Sequence, residues 1–445
     1  FPSTRRYVYR VLQVRFGEDT SFGGRFRRSA PARSSTPAHD WPREPCAQAP
    51  QRMGRHKRLR EVSNLEDCLY LDLWTPSIDP EVGHILHGCF HTALRTVLLF
   101  IHGTSFKWGW SDEYDGLALS ALGELVVVVP NYRLHVLGFL GDGSDDAPGN
   151  VALYDQLLAL NWTINYVHHF GGNSSSIVVH GYEAGARSLG LHLLSPVRNA
   201  FQNIARFILQ SGSPFMPFQA NSKLADVFTT LGCNSSNLSW ECLRNLPTAA
   251  FTSSPVYQNL VLGPSFTSEY LPSNPGVLTQ GRTIVDKEVL LGGVLYEGSF
   301  QVRSMELHRR QSDKKVNSTA FTQDVLERSG ITDFDALRRE YSSDSDWRGD
   351  RAGHTATRIL GDVLYSCPTQ YFAEYLSNQR NQVYAYLFTY KPSFGPRQRG
   401  GLEPTQYDDL DYLFGGPLTN PTSSSVEQEV SYQIIDIIST FAKSG

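Results

Sequence analysis

Asn173 to Pro196 reads NSSSIVVHGYEAGARSLGLHLLSP, and this stretch decides the architecture. Ile177, Val178 and Val179 form an apolar, β-branched run, the composition of a buried strand. Gly181-Tyr182-Glu183-Ala184-Gly185 follows, with a glycine at each end of a five-residue turn. A helix-like stretch, Ala184 to Leu194, comes directly after. Strand, sharp turn and helix in immediate succession require close backbone approach, which glycine permits because it has no Cβ. Glu183 stands at the centre of the turn, at the start of the helix. There the free N–H groups and the helix dipole favour a negative charge.

The same rhythm extends outward. Thr96 to His102 and Leu122 to Asn131 are expected strands, and Val151 to His168 an apolar-periodic helix. Ile177 to His180 is the strand before the turn, Ile204 to Leu209 the next, and Val289 to Leu291 and Val383 to Thr389 later ones. Alternating strands and helices predict an α/β fold with a central, mostly parallel sheet flanked by helices. Val302 to Asn317 and Ser393 to Glu403 are polar and are expected as surface excursions. At 445 residues and 40% hydrophobic content the chain can bury a large core, and it is expected to be one domain, 1–445. No run of about 18 apolar residues exists, so no transmembrane helix is expected. The chain does not begin with Met, and no secretory leader is legible in it.

Several further blocks carry a resemblance. They are Glu66-Asp67-Cys68-Leu69-Tyr70-Leu71, Asn131-Tyr132-Arg133-Leu134, Ala147 to Gln156 (APGNVALYDQ), Phe170-Gly171-Gly172-Asn173 and Leu209-Gln210-Ser211-Gly212-Ser213. In this order, with Gly181 to Gly185 among them, they resemble the type-B carboxylesterase/cholinesterase family. Gly24-Arg25-Phe26-Arg27 looks like that family's early strand, and Phe441-Ala442-Lys443-Ser444-Gly445 like a late helix end. The resemblance implies an α/β-hydrolase fold in which the centre of the Gly181–Gly185 elbow carries a nucleophile. Members usually continue well past Gly445, so both ends are expected to be truncated here.

An esterase of this class needs a nucleophile, a His base, an acid that orients the His, and backbone N–H donors for the oxyanion. At the nucleophile position stands Glu183, which cannot form an ordinary acyl-enzyme by serine chemistry. The ending Asp408-Asp409-Leu410-Asp411-Tyr412-Leu413-Phe414 sets the register of the His motif and places Gln406 where the His belongs. A Gln amide has no basic nitrogen. Glu297, in Tyr296-Glu297-Gly298-Ser299, matches the triad acid, and is expected to be structural, with a hydrogen bond to Gln406 as one role. The family's Gly-Gly-Gly oxyanion loop reads Gly103-Thr104-Ser105 here, so Thr104 and Ser105 occupy two donor positions, and Ala184 is the third. His102, His135, His168, His169, His180 and His192 fall mostly in or beside scaffold motifs and are expected to be packed or solvated. The resulting expectation is a pseudoesterase that works by binding or adhesion, as cholinesterase-like adhesion members do. Two alternatives stand beside it. One is a carboxylic-ester hydrolase whose true codons at 183 and 406 differ. The other is a hydrolase that uses Glu183 itself as a carboxylate nucleophile.

The resemblance also implies disulfides Cys46–Cys68 and Cys233–Cys242, and buried ion pairs Arg25–Glu66 and Arg133–Asp155. Two disulfides point to an extracellular protein, secreted or the ectodomain of an anchored one. Cys89 and Cys367 have no evident partner; Cys367 sits where cholinesterases bridge to a cysteine near their C-terminus. Sequons at Asn173, Asn234, Asn237 and Asn317 are glycosylation candidates, whereas Asn161 is expected to be buried and unmodified. Residues 1–60 hold 14 basic and 4 acidic residues, net +10, against −14 for the remainder. The Cys46–Cys68 loop lacks the aromatic residue that binds choline in cholinesterases, and carries Arg52, Arg55, His56, Lys57, Arg58 and Arg60 instead. A polyanion is a candidate partner at Arg52, Arg55, Lys57, Arg58 and Arg60. Otherwise an unidentified protein or a small hydrophobic ligand is expected. No cofactor, metal or nucleic acid is expected.

Overall fold

The computed structural model describes residues 7–33, 45–49, 65–76, 94–217, 222–233, 239–253, 256, 260–303, 323, 326–327, 333–341, 352–393 and 404–445. Among them eight strands form one sheet: β1 (Tyr9–Arg15), β2 (Tyr70–Thr75), β3 (Arg95–Ile101), β4 (Val126–Pro130), β5 (Gly172–Tyr182), β6 (Arg206–Gln210), β7 (Glu288–Val294) and β8 (Gln382–Phe388). Their spatial order is β1-β2-β4-β3-β5-β6-β7-β8. β2 runs antiparallel to β1 and β4, and every other neighbouring pair is parallel. Val97 to Ile101 and Val126 to Val129 are fully buried, the continuous apolar runs that a parallel sheet covered on both faces requires.

Alternation along β3 separates the two layers. Val97, Leu99 and Ile101 face one core, shared with α2 (Val151–Tyr166) and α3 (Ala184–Leu194). Leu98 and Phe100 face the other, shared with α1 (Leu117–Gly123), α5 (Asp408–Leu413) and α6 (Ser425–Ser444). A further helix, α4 (Cys367–Ser377), packs Phe372 and Leu376 onto the first core. This is the mostly parallel sheet between helical layers of the α/β-hydrolase fold. Among the described residues no helix is long and apolar enough to cross a membrane.

Four expectations need correction. Gly24-Arg25-Phe26-Arg27 is a turn following the short 3-10 helix Phe22–Gly24, with Phe22 and Phe26 at positive φ. The turn aims Arg25 inward, where its guanidinium bonds Glu66 and the carbonyls of Leu243, Arg244 and Leu246. The segment Leu122 to Asn131 is not all strand. Leu122 and Gly123 end α1, Glu124 caps it in the left-handed region, and β4 begins at Val126. Asn161 is exposed on α2, on the side of the helix turned away from the sheet. Its sequon partner Thr163 is buried, with its hydroxyl donating to the Ala159 carbonyl at 2.8 Å. Val302, placed at the head of a polar excursion, is buried with Leu326, Ile359 and Leu360.

Cys46 is joined to Cys68 and Cys233 to Cys242, with Cα–Cα distances of 4.9 and 5.9 Å. Cys367 is a free, exposed thiol. Asn173 is half-buried at the start of β5. The basic residues Arg52, Arg55, His56, Lys57, Arg58 and Arg60, the sequons at Asn234, Asn237 and Asn317, Cys89, and most of 302–317 and 393–403 lie outside the described residues.

Candidate functional site

β5 runs straight into α3, and the turn between them has room for neither a Cβ at Gly181 nor one at Gly185. A Cβ at Gly181 would meet the Ala186 nitrogen at 2.5 Å, and one at Gly185 the Ile101 carbonyl oxygen at 2.0 Å. Both obstacles are backbone, so neither yields easily. Gly185→Ala is therefore expected to cost at least about 3 kcal/mol of stability in denaturant titration. Gly281→Ala, where nothing lies within 4 Å, serves as the neutral comparison.

The turn holds Glu183 at φ 46°, ψ −106°, buried at 5% exposure. Opposite it, Thr104, Ser105 and Phe106 all have positive φ, at 87°, 55° and 59°. Three successive non-glycine residues in this region store strain, most of it at β-branched Thr104. The conformation turns two amides toward the elbow. Thr104 N–H donates to Glu183 Oε2 at 2.8 Å and Ser105 N–H to the same oxygen at 2.6 Å. Ala184 N–H, at the head of α3, is the third donor, at 2.8 Å. The second oxygen, Oε1, has the Ser105 hydroxyl at 3.4 Å. Thr104, Ser105 and Ala184 thus converge as the sequence places them, and the Glu183 carboxylate occupies the point on which they converge. Arg187, one helical turn along α3, adds a favourable positive charge.

Gln406 lies just before α5 and is 1% exposed. Its Oε1 faces Gln301 Nε2 at 3.5 Å, and its side chain also bonds the buried Tyr365 hydroxyl. Glu297 is equally deep but does not bond Gln406, contrary to expectation. Its Oε1 accepts from the Ser211 hydroxyl at 2.7 Å and from Val294 N–H at 2.9 Å, and its Oε2 has no hydrogen-bond partner. Ser211 is turned toward it by its own positive φ of 54°. Burial, then the nearby Asp409 charge, push the Glu297 carboxyl up to about 8.

The histidines serve the scaffold. His102, His180 and His192 are buried, and desolvation pushes them down to about 4, 4 and 3. His102 Nδ1 bonds the Gly103 carbonyl, and His180 bonds Gln210. His192 lies between Tyr270 and Gln156, where the tyrosine hydroxyl donates to Nδ1 and leaves Nε2 as the donor. His135 bonds the Leu260 carbonyl. His168 and His169 are exposed and packed on one another.

Sequence reasoning missed two residues here. Tyr365 lies on the π-helical turn Asp362–Ser366, buried within electrostatic reach of Glu183 and Glu297. Gln301 contacts both Tyr365 and Gln406. No motif marks either, because π-helical turns have no sequence punctuation comparable to a cap.

The sequence pattern of the Carboxylesterase family matches residues 3–445. The acetylcholinesterase of Bungarus fasciatus is 31% identical over 417 residues, covering 85% of this chain and 64% of that protein. Acetylcholinesterase-1 of Trittame loki is 29% identical over 397 residues, covering 82% and 68%, and the acetylcholinesterase of Danio rerio is 28% identical over 448, covering 85% and 66%. The chain thus spans about two thirds of the length of these curated relatives. A match along nearly the whole chain, on this sheet and this elbow, places the protein in the carboxylesterase family.

Proposed function

We propose that this protein is a non-catalytic member of its family, acting outside the cell by binding a protein partner or a small hydrophobic ligand. One observation carries the reading: the Glu183 carboxylate sits on the three amides that would otherwise polarise a substrate carbonyl. Acyl transfer depends on donors aimed at the developing oxyanion. Here a tethered anion already fills them, and it would repel a second. Gln406 supports the same reading, since it offers no nitrogen to accept a proton. A carboxylate-nucleophile mechanism through Glu183 is less well supported. The oxygen best placed by the elbow is held by three donors, and lone pairs so engaged are poor nucleophiles. The test is direct. The purified protein is expected to take no label from a serine-directed fluorophosphonate and to hydrolyse a chromogenic acetate only at the buffer rate. A burst of product, or label lost on Glu183→Ala, would overturn the proposal. Peptide sequencing across 183 and 406 separates this reading from an esterase with other residues there.

A further inference from the structure

Beneath the elbow two carboxyl groups lie in the core, with no cationic side chain paired to them among the described residues. Glu297 is 3% and Asp409 2% exposed, and among the described residues neither makes an ion pair. They meet over the ends of β6, β7 and β8: Ser211, which bonds Glu297, donates its N–H to the carbonyl of Gly292, and Gly292 pairs with Tyr386, whose hydroxyl reaches Asp409. The groups around Glu297 are the Ser211 hydroxyl from the end of β6, Val294 N–H of β7, Glu183 of the elbow and Tyr365 of the π-helical turn. Around Asp409 are Leu410 N–H at 3.0 Å, the Tyr386 hydroxyl of β8 at 3.4 Å, the Gln210 side chain and the Asp408 charge. Behind Gln210 stands His180, which burial keeps neutral. The neighbours are therefore neutral donors or further acids.

We infer that Glu297 and Asp409 together hold one proton at neutral pH and that this pair is a pH-sensitive latch holding Thr405–Phe414 on the sheet. Two like charges in a site of low polarity cannot both ionise at ordinary cost. An ionised Glu297 would leave Oε2 as buried charge without a donor, a cost that protonation removes. The replacement at 406 matters here, because Gln406 supplies no imidazole to take that proton. Burial as the first cause raises both groups, Glu297 to about 8 and Asp409 to about 6. The protons belong to the pair rather than to either site.

The sign follows from linkage. Both folded values lie above the ordinary carboxylate range, so the folded state holds extra protons between the two. Stability is full below the ordinary carboxylate range, falls as the pH rises above it, and the loss is complete once the pH has passed about 6 for Asp409 and about 8 for Glu297. The strain falls on the segment that carries Asp409. Thr405 and Tyr407 N–H are bonded to Asp408 and to the Tyr182 hydroxyl, so an opening there would also free Gln406.

The experiment is amide hydrogen exchange on the wild-type protein at mildly acidic and mildly alkaline pH, corrected for intrinsic rates, with urea titrations at both. Peptides within 405–414 are expected to lose protection at the higher pH, while those of β3 to β5 keep theirs. The unfolding constant should rise by about tenfold or more over the interval. Glu297→Gln and Asp409→Asn should each remove most of that rise. Equal protection of 405–414 at both pH values overturns the inference, as does a pH slope that persists in both variants. The wild-type exchange decides the matter if either variant does not fold.

Discussion

Glu183→Ser alone is expected to leave ester hydrolysis at the buffer rate, and Glu183→Ser with Gln406→His to raise it by about a hundredfold or more over either single change. The single change empties the amide nest and supplies a hydroxyl. It leaves nothing to take the hydroxyl proton, because the amide at 406 is not basic. Gln406→His alone supplies a base but leaves the Glu183 carboxylate across Thr104, Ser105 and Ala184 N–H. The combination also restores an acid of the triad type, since Glu297 is buried with Oε2 unbonded. Residues that act as one unit are non-additive, and in a characterised serine protease removing one member costs about as much as removing all, about a million-fold. Turnover of a chromogenic acetate measures the effect. Full turnover from Glu183→Ser alone would mean that another group acts as base.

Asp155→Ala is expected to destabilise the protein by about 3–5 kcal/mol. Arg133 and Asp155 are 4% and 0% exposed at the side chain. Their contacts are bidentate, Nε to Oδ2 at 2.8 Å and an outer nitrogen to Oδ1 at 2.7 Å, with Arg133 N–H also on Oδ2 at 3.1 Å. The remaining guanidinium nitrogen bonds the Arg27 carbonyl at 2.7 Å. Without the carboxylate a guanidinium charge is left in the core. A domain's whole margin is about 5–15 kcal/mol, so the loss would be visible in urea. Arg133→Met with Asp155→Leu should recover most of it, because removing both charges also removes their desolvation. Equal stability of Asp155→Ala and wild type would mean that water reaches Arg133.

Elements that depend on local composition were legible in the sequence. The runs at Val97–Ile101 and Val126–Val129 are strands because nothing in them competes with burial on both faces. The elbow was legible because Gly181 and Gly185 are demanded by backbone contacts. What escaped was set by tertiary partners. Arg25 pulls Gly24–Arg27 out of an extended path into a turn, since its guanidinium must reach carbonyls some 220 positions away along the chain. Asn161 lies in an apolar-looking stretch, yet its exposure depends on which face of α2 the sheet takes. At the site, residue types at 104, 105, 183, 297 and 406 were readable, but their bonding was not. That Glu297 would turn to Ser211, and that Glu183 would be held by three amides, follows from side-chain reach across separate loops.

The propped loop at Thr104–Phe106 has a historical consequence. Its strained backbone faces a carboxylate that rewards the strain, so the loop and Glu183 have become mutually dependent. A lineage stepping back from Glu183 would first pass through a form with the strain but without its support. With Gln406 offering no basic nitrogen, the proposed function gives that form no hydrolytic gain to offset the loss. On the proposed function, exchange of the elbow residue is therefore not a path open to single steps, and the loop commits the site to its carboxylate.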